Sequence, residues 1–223
     1  MTHFVELSHV IEPGMTVYPG LPPPTVDAWL THATSKGHYA PGTTFHLSRV
    51  EFVTNLGTYV DAPFHRDPEG ADLAGLPLSR LADLPGVVID VTQRDQRAIG
   101  RAAFGEHDLA GRAVLIWTGW DVHWNTPAYV EPGPFVTREA AQWLANCKVA
   151  FVGIDCMNID NVEDLTRPAH TILLRAGIPI CEHMRNLAAL PGTGFRLHAV
   201  PVAWHGVASF PVRAYAVVEG GDK

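Results

Sequence analysis

Apolar positions along this chain cluster in short continuous runs, with few long helical stripes. Residues 84–91 carry the run Gly-Val-Val-Ile-Asp-Val, residues 113–118 read Ala-Val-Leu-Ile-Trp-Thr, and residues 149–154 lead into Asp155. Runs of this length, rich in β-branched side chains, predict strands buried on both faces. Residues 5–11, closed by the turn Glu12-Pro13-Gly14, predict another strand, as do 43–53, 178–181, 196–202 and 213–218. Helical signals are fewer. Thr137 predicts an N-cap, with Glu139 in the favourable first turn of a helix running to Asn146. Residues 170–176 predict a short helix closed by Gly177 at C′, and 101–107 another. The proline-rich stretch 18–24 and the polar, acidic stretch 156–168 read as ordered loops. Strands outnumber helices without the regular alternation of a doubly wound sheet, so one mixed α/β domain spanning 1–223 is the simplest architecture.

Composition narrows the class. Hydrophobic residues are 47% of the chain and charged residues 17%, ample for a buried core. A formal net charge of −7 and the lack of any Lys/Arg run argue against a nucleic-acid partner. No apolar window reaches the ~20 residues that span a bilayer, and the N-terminus lacks the basic-then-apolar pattern of a signal peptide. Cys147, Cys156 and Cys181 have no Cys-x-x-Cys spacing and read as reduced thiols. These features predict a cytoplasmic protein with no membrane partner. Of 12 histidines, His3, His9, His32, His38, His107 and His123 occur singly and read as structural or surface residues.

The candidate chemistry lies in Asn55-Leu-Gly-Thr-Tyr-Val-Asp-Ala-Pro-Phe-His65. If this segment is extended, Tyr59, Asp61, Pro63 and His65 point the same way, and Asp61 and His65 line one pocket wall. Gly57 allows close backbone approach, and Pro63 stiffens the segment. The plain alternative is a loop in which Asp61 caps a turn and His65 is exposed. A second constellation is His170 at a helix start and Glu182 at the end of the following strand. A seven-residue helix climbs roughly 10 Å and a five-residue strand returns over roughly 16 Å, so the two ends can meet. His170, Glu182 and Asp61 would then form an N/O site suited to zinc or manganese. Alternatively His170 caps its helix and Glu182 pairs with Arg185.

Taken in order, these pieces resemble the cyclase-like metal-dependent hydrolases that include bacterial kynurenine formamidase. The resemblance runs through Tyr18-Pro-Gly20, Gly57-Thr-x-x-Asp61-x-Pro63-x-His65, residues 72–78 and 87–91, Trp117-Thr-Gly-Trp120 and Val152-Gly-Ile-Asp155. It continues through the His170/Glu182 pair, Asn186-Leu187 and Ser209-Phe-Pro-Val-Arg213. It implies a single mixed-sheet α/β domain of the swivelling β/β/α type. Matched to His-x-Gly-Thr-His-x-Asp-x-Pro-x-His, Asp61 falls on a metal-bridging carboxylate and His65 on the proton donor and acceptor. His170 and Glu182 fall on the remaining ligands of the second metal, while Asn55 and Tyr59 replace two histidines of the first. An amide oxygen binds transition metals more weakly than imidazole, and a phenol of pKa near ~10 is a poor ligand. The implied cofactor is therefore one divalent ion, zinc or manganese, held by Asp61, His170 and Glu182. Glu51 and His46 are candidate substitute ligands.

The resemblance implies an arylformamidase-like hydrolase of a small amide, lactam or ester. A divalent ion would acidify its water to pKa about 7 and polarise the scissile carbonyl. His65 would move the proton, and Tyr59 would donate to the developing oxyanion. Asn55, Phe64 and Arg66 are candidate substrate-binding residues, with Arg66 either facing a substrate carboxylate or paired with Asp67 or Glu69. Trp117, Trp120, Trp124, Phe64 and Tyr39 offer aromatic surface for a planar ligand, or core. Two other readings stay open: a cyclase or dehydratase using metal-free acid–base chemistry, and a non-catalytic small-molecule binder. The implied assembly is a homodimer or higher homo-oligomer.

Overall fold

The β-branched runs form the centre of a nine-stranded sheet. A computed structural model of the chain describes residues 1–15 and 18–219. In chain order its elements are β1 (His3–Glu6), β2 (Thr25–Leu30), β3 (Leu47–Glu51), β4 (Tyr59–Asp61), β5 (Leu84–Asp90), β6 (Ala98–Ile99), β7 (Ala113–Trp117) and β8 (Phe135–Val136). There follow α1 (Arg138–Asn146), β9 (Phe151–Ile154), α2 (Pro168–Arg175), β10 (Ile180–Glu182), β11 (Thr193–His198), β12 (Ser209–Pro211) and β13 (Tyr215–Val218). The large sheet has the order β1-β13-β11-β5-β7-β9-β10-β4-β12. Strands β5, β7, β9 and β10 are parallel; the flanking pairs are antiparallel. The fold is the mixed α/β class implied by the sequence.

Strand alternation sends side chains into two cores. On one face Ile89, Val114, Ile116, Val152, Ile154 and Ile180 pack against Leu144 of α1 and Leu173 and Leu174 of α2. On the other, Leu115, Phe151, Cys181 and Leu197 meet Val5, Leu7 and Val60. Each fully buried aliphatic side chain contributes about 1.5–3 kcal/mol, so burial on both faces explains why these runs are continuously apolar.

α1 starts where its cap predicts and α2 stops where its glycine predicts, although α2 begins at Pro168, two residues before the expected start. The Thr137 hydroxyl accepts from Ala140 N at 3.2 Å, and α2 ends before Gly177, which has φ +71°. Residues 101–107 give only the 3-10 turn Arg101–Phe104.

Three predicted strands are revised. The first ends at Glu6, after which Ser8 makes an isolated bridge to Met184 and Arg185 N donates to Leu7 O, curling the sheet. Residues 43–53 supply only β3, which pairs with β2, a strand absent from the sequence reading, in a separate two-stranded ribbon. That ribbon is almost wholly exposed, so its sequence lacks the apolar alternation that marks a half-buried strand. The segment leading to His65 is extended only through Asp61; Pro63–His65 then forms a 3-10 turn. Proline at the first turn position suits that turn, so strand parity does not reach His65.

Candidate active site

Strand register builds the site. β4 lies antiparallel between β10 and β12, with Tyr59 opposite Glu182 and Asp61 opposite Ser209. Directly opposed side chains in an antiparallel pair are neighbours, and both pairs bond. The Tyr59 hydroxyl donates to Glu182 Oε2 at 2.5 Å. The Ser209 hydroxyl donates to Asp61 Oδ1, and the Asn55 amide reaches the same oxygen at 3.5 Å. Gly57, two residues ahead of β4, has φ +61° and lies so close to Ile11 that a Cβ would sit 2.8 Å from its Cγ1. The close approach read from the sequence is thus toward the strap after β1.

α2 delivers His170 to the same place. The Asp160 carboxylate accepts from Ala169 N at 2.6 Å and His170 N at 3.1 Å, capping the helix, and Asp160 Oδ2 lies 2.7 Å from His170 Nδ1. An ionised carboxylate only accepts, so the Nδ1 proton points at Asp160 and Nε2 faces the cavity. From Nε2, Asp61 Oδ2 is 3.5 Å away and Glu182 Oε1 is 3.4 Å away. Glu182 Oε1 also accepts from Ile159 N at 2.7 Å.

His65 arrives by the 3-10 turn. Its Nδ1 is 3.5 Å from Ser209 Oγ and 3.9 Å from Asp61 Oδ1, and its ring centre is 5.7 Å from that of His170. One potential ligand atom from each of Asp61, His65 and His170 lies within 4.8 Å of the others. Glu182, tied to Tyr59, is outside that group, although its Oε1 also approaches His170 Nε2, at 3.4 Å.

Burial sets the electrostatics. Asp61, Asp160, Glu182 and His170 are all buried. Burial alone would lower the pKa of His170, but the Glu182 charge and the close carboxylates of Asp160 and Asp61 push it up to about 10. Burial raises Glu182 to about 7 against the opposing pull of His170. Burial would also raise Asp61, yet the neighbouring His170 and His65 hold it below the usual carboxylate range. His65 is lowered, first by burial and then by His170 and Arg66, against the pull of Asp61.

Three observations fit a metal. Asp61 Oδ2 is buried without a hydrogen-bond partner. Three carboxylates surround one imidazole, leaving a buried excess of negative charge that a divalent cation would offset. The 3.4 and 3.5 Å separations from His170 Nε2 approximate a tetrahedral edge of roughly 3.4 Å for bonds of about 2.1 Å.

The predicted residues Asn55, Tyr59, His65, His170 and Glu182 are therefore brought together around a cavity of about 250 Å³ that Arg66 also lines, while Asp61, buried beside His65 and His170, is not in its lining. Several expectations are corrected. Phe64 is exposed and does not line the cavity; the 3-10 turn aims it outward. The Tyr59 hydroxyl is engaged by Glu182 and is not an open oxyanion donor. Glu51 and His46 are exposed, outside the cluster. Glu182 pairs with His170 and Tyr59, and has no ion pair to Arg185 among the described residues. Of the predicted aromatics, Trp117 and Trp120 pack on the cores and Tyr39 is exposed against Phe45. Trp124 stacks on His9 and borders a slot of only about 20 Å³, room for about one water.

Asp160, Ser209, Asn158 and Arg167 were not assigned from sequence. Asp160 lay in an acidic loop, and ten residues of separation from His170 give no periodic signal. Ser209 carried only the resemblance, since its link to Asp61 is a strand register across 148 residues.

The chain is 29% identical over 216 residues to a kynurenine formamidase of Geobacillus thermodenitrificans, covering 96% of this chain and 97% of that one. It is 26% identical over 214 residues to a kynurenine formamidase of Bacillus cytotoxicus, covering 96% of each. Among solved structures, isatin hydrolase A from Labrenzia aggregata bound to benzyl benzoate superposes with TM-score 0.83 at 21% identity, covering 97% of this chain and 94% of that one. A potential metal-dependent hydrolase with cyclase activity superposes with TM-score 0.79 at 25% identity, covering 99% and 100%. The family model described as "Putative cyclase" matches residues 5–161, more than half of the sequence, and the chain belongs to that cyclase family.

Proposed function

We propose that this protein is a metal-dependent hydrolase of small carbon–nitrogen amides, arylformamidase-like in type. The observation that carries the reading is the buried Asp61 Oδ2, without a hydrogen-bond partner and 3.5 Å from Nε2 of an Asp160-anchored His170. The kynurenine formamidase names of the curated relatives support the choice of bond.

Asp61 and His170 would hold one divalent ion, zinc or manganese, with Glu182 as third ligand. When bound, the ion supplies Lewis-acid polarisation of the scissile carbonyl and acidifies water. The chain's own groups do the rest. Ser209 and Asn55 occupy Asp61 Oδ1, leaving Oδ2 for the cation. Tyr59 holds Glu182 through Oε2 and leaves Oε1 facing His170. His65 is partly exposed at the cavity, with a lowered pKa that keeps it neutral near pH 7 and able to accept a proton from the nucleophile and return it to the leaving amine. Elemental analysis together with formanilide hydrolysis tests the reading. About one zinc or manganese per chain, with turnover lost on chelation and restored by the metal, is the expected result; metal-free protein of full activity overturns it.

A second reading, metal-free acid–base chemistry of a cyclase or dehydratase, is favoured by one observation: His170 at about 10 is an imidazolium that partly neutralises its own cage. Activity indifferent to exhaustive chelation selects it. We also assign the protein to the cytoplasm, without nucleic-acid or membrane partners, a reading supported by its net charge of −7. No helix among the described residues is long and apolar enough to cross a membrane. A homodimer or higher homo-oligomer is supported by the exposed Val26, Trp29, Leu47 and Val50 of the β2–β3 ribbon; light scattering that gives one chain per particle overturns it.

A further inference from the structure

Two arginines line the 250 Å³ cavity without joining an ion pair among the described residues, though Arg167 also acts electrostatically on Asp164. Arg66 follows the Pro63–His65 turn and Arg167 precedes α2, so the elements that deliver His65 and His170 each end in an arginine lining the same cavity. Their backbones are pinned: Arg66 N donates to Pro63 O and Arg167 N to Asp164 O, both at 3.0 Å.

The side chains are under-used. Arg66 Nε is buried without a hydrogen-bond partner. Asp67, its sequence neighbour, accepts from Glu69 N. Arg167 spends one guanidinium nitrogen on Asn161 O at 3.0 Å. Among the described residues neither arginine joins an ion pair; the arginine pairs are Arg49–Asp27, Arg196–Asp83 and Arg213–Glu6. Glu182, the acid that lines the cavity, is committed to Tyr59 and Ile159 N. Arg167 also holds φ 45°, ψ 62°, a left-handed conformation that an L-residue adopts only at a cost. Strain of that kind persists where the position of a side chain matters to a site.

Unpaired guanidinium donors beside a desolvated cavity match a planar carboxylate, which accepts two N–H bonds from one fork. Resting on the hydrolase reading above, we propose that the substrate is an anionic amide whose carboxylate is bound between Arg66 and Arg167, away from the scissile bond at Asp61, His65 and His170. The lining then holds both kinds of group, the imidazoles of His65 and His170 with the Glu182 carboxylate, and the guanidinium groups of Arg66 and Arg167.

The test compares formanilide with its ortho-, meta- and para-carboxylated counterparts in wild type, R66Q and R167Q, with R167N as a second variant because asparagine tolerates the left-handed backbone. Thermal melts check folding. At least one carboxylated substrate is expected to exceed formanilide at least tenfold in kcat/KM. That ratio should collapse toward one in each variant, chiefly through KM. The ratio is the readout because Arg66 also influences His65, which serves both substrates equally. Equal kcat/KM for all four substrates, or a ratio that survives every substitution, overturns the carboxylate subsite and leaves the hydrolase reading standing. If wild type turns over none of them, the hydrolase reading is what has failed, and calorimetric titration with benzoate and benzamide decides the subsite. Benzoate binding at least tenfold tighter than benzamide, lost in R66Q and R167N, upholds it; equal binding overturns it.

Discussion

At the scale of single residues, the site depends on carboxylates that do two things at once. Asp160 caps α2 through two backbone N–H groups and fixes the His170 ring through Nδ1. Asp160→Asn keeps the size but can present its NH₂ toward Nδ1, which unsettles the tautomer. Groups that orient a metal-ligating imidazole typically change affinity 10- to 100-fold, so D160N should weaken zinc or manganese binding by that order in a calorimetric titration; unchanged affinity would remove Asp160 from the site. His65→Ala should abolish formanilide turnover, a loss of roughly 10²- to 10⁴-fold, with circular dichroism and thermal melt unchanged. The His65 side chain makes only long approaches, 3.5 Å from Nδ1 to Ser209 Oγ and 3.9 Å to Asp61 Oδ1. Asp61, His65, His170 and Glu182 were legible because their residue types and order carry the chemistry. Asp160 and Ser209 were not, because supporting a ligand leaves no residue-type signature.

Among the elements, those defined by local physics matched their prediction closely. α1 begins at Thr137 because a threonine hydroxyl satisfies an N–H that helix geometry leaves open. Thr137→Ala should cost about 1 kcal/mol, read from urea unfolding; no change would mean the cap contributes nothing. β4 is the opposite case. Three residues long, it carries little periodicity of its own, yet its register against β10 and β12 decides that Tyr59 meets Glu182 and Asp61 meets Ser209. The same register turned Tyr59 from a free oxyanion donor into a clamp on Glu182. β2 escaped notice because neither face of the β2–β3 ribbon is buried.

For the whole molecule, the strap after β1 joins the sheet's edge to the site through an aromatic column. His9 stacks on Trp124 at 3.9 Å, Trp124 meets Tyr129 and His183 edge-on, and the Tyr129 hydroxyl lies 3.0 Å from His183 Nδ1. Burial, then the Arg185 charge, lowers His9 to about 4, and burial, then His9, lowers His183 to about 3. An unfolded histidine titrates near ~6.5, so below that pH the unfolded chain binds protons the folded one refuses. This contribution is complete above pH 6.5 and is lost as pH falls through about 4. Asp155, raised to about 6 by burial, contributes with the opposite sign between its unfolded value and 6, so the informative quantity is the difference between wild type and H9Q. That difference in unfolding free energy should shrink steadily from pH 7 to pH 4.5; a constant difference would show that His9 titrates at the same pH folded and unfolded.

By itself the sequence determined the mixed α/β class, the central strands, both helices, and the residues competent for acid–base and metal chemistry. Each of these follows from local quantities: continuous apolar runs, a capping hydroxyl, a glycine stop, and side chains with the right donors. Tertiary structure alone decided which of those side chains touch. Antiparallel registers across more than a hundred residues put Ser209 on Asp61 and Tyr59 on Glu182, and a capping loop put Asp160 on His170. It also set Arg66 and Arg167 in the lining of a common cavity, neither in an ion pair among the described residues. Contacts between segments far apart in the chain are set by the packing of whole strands and helices, which no short window of sequence encodes.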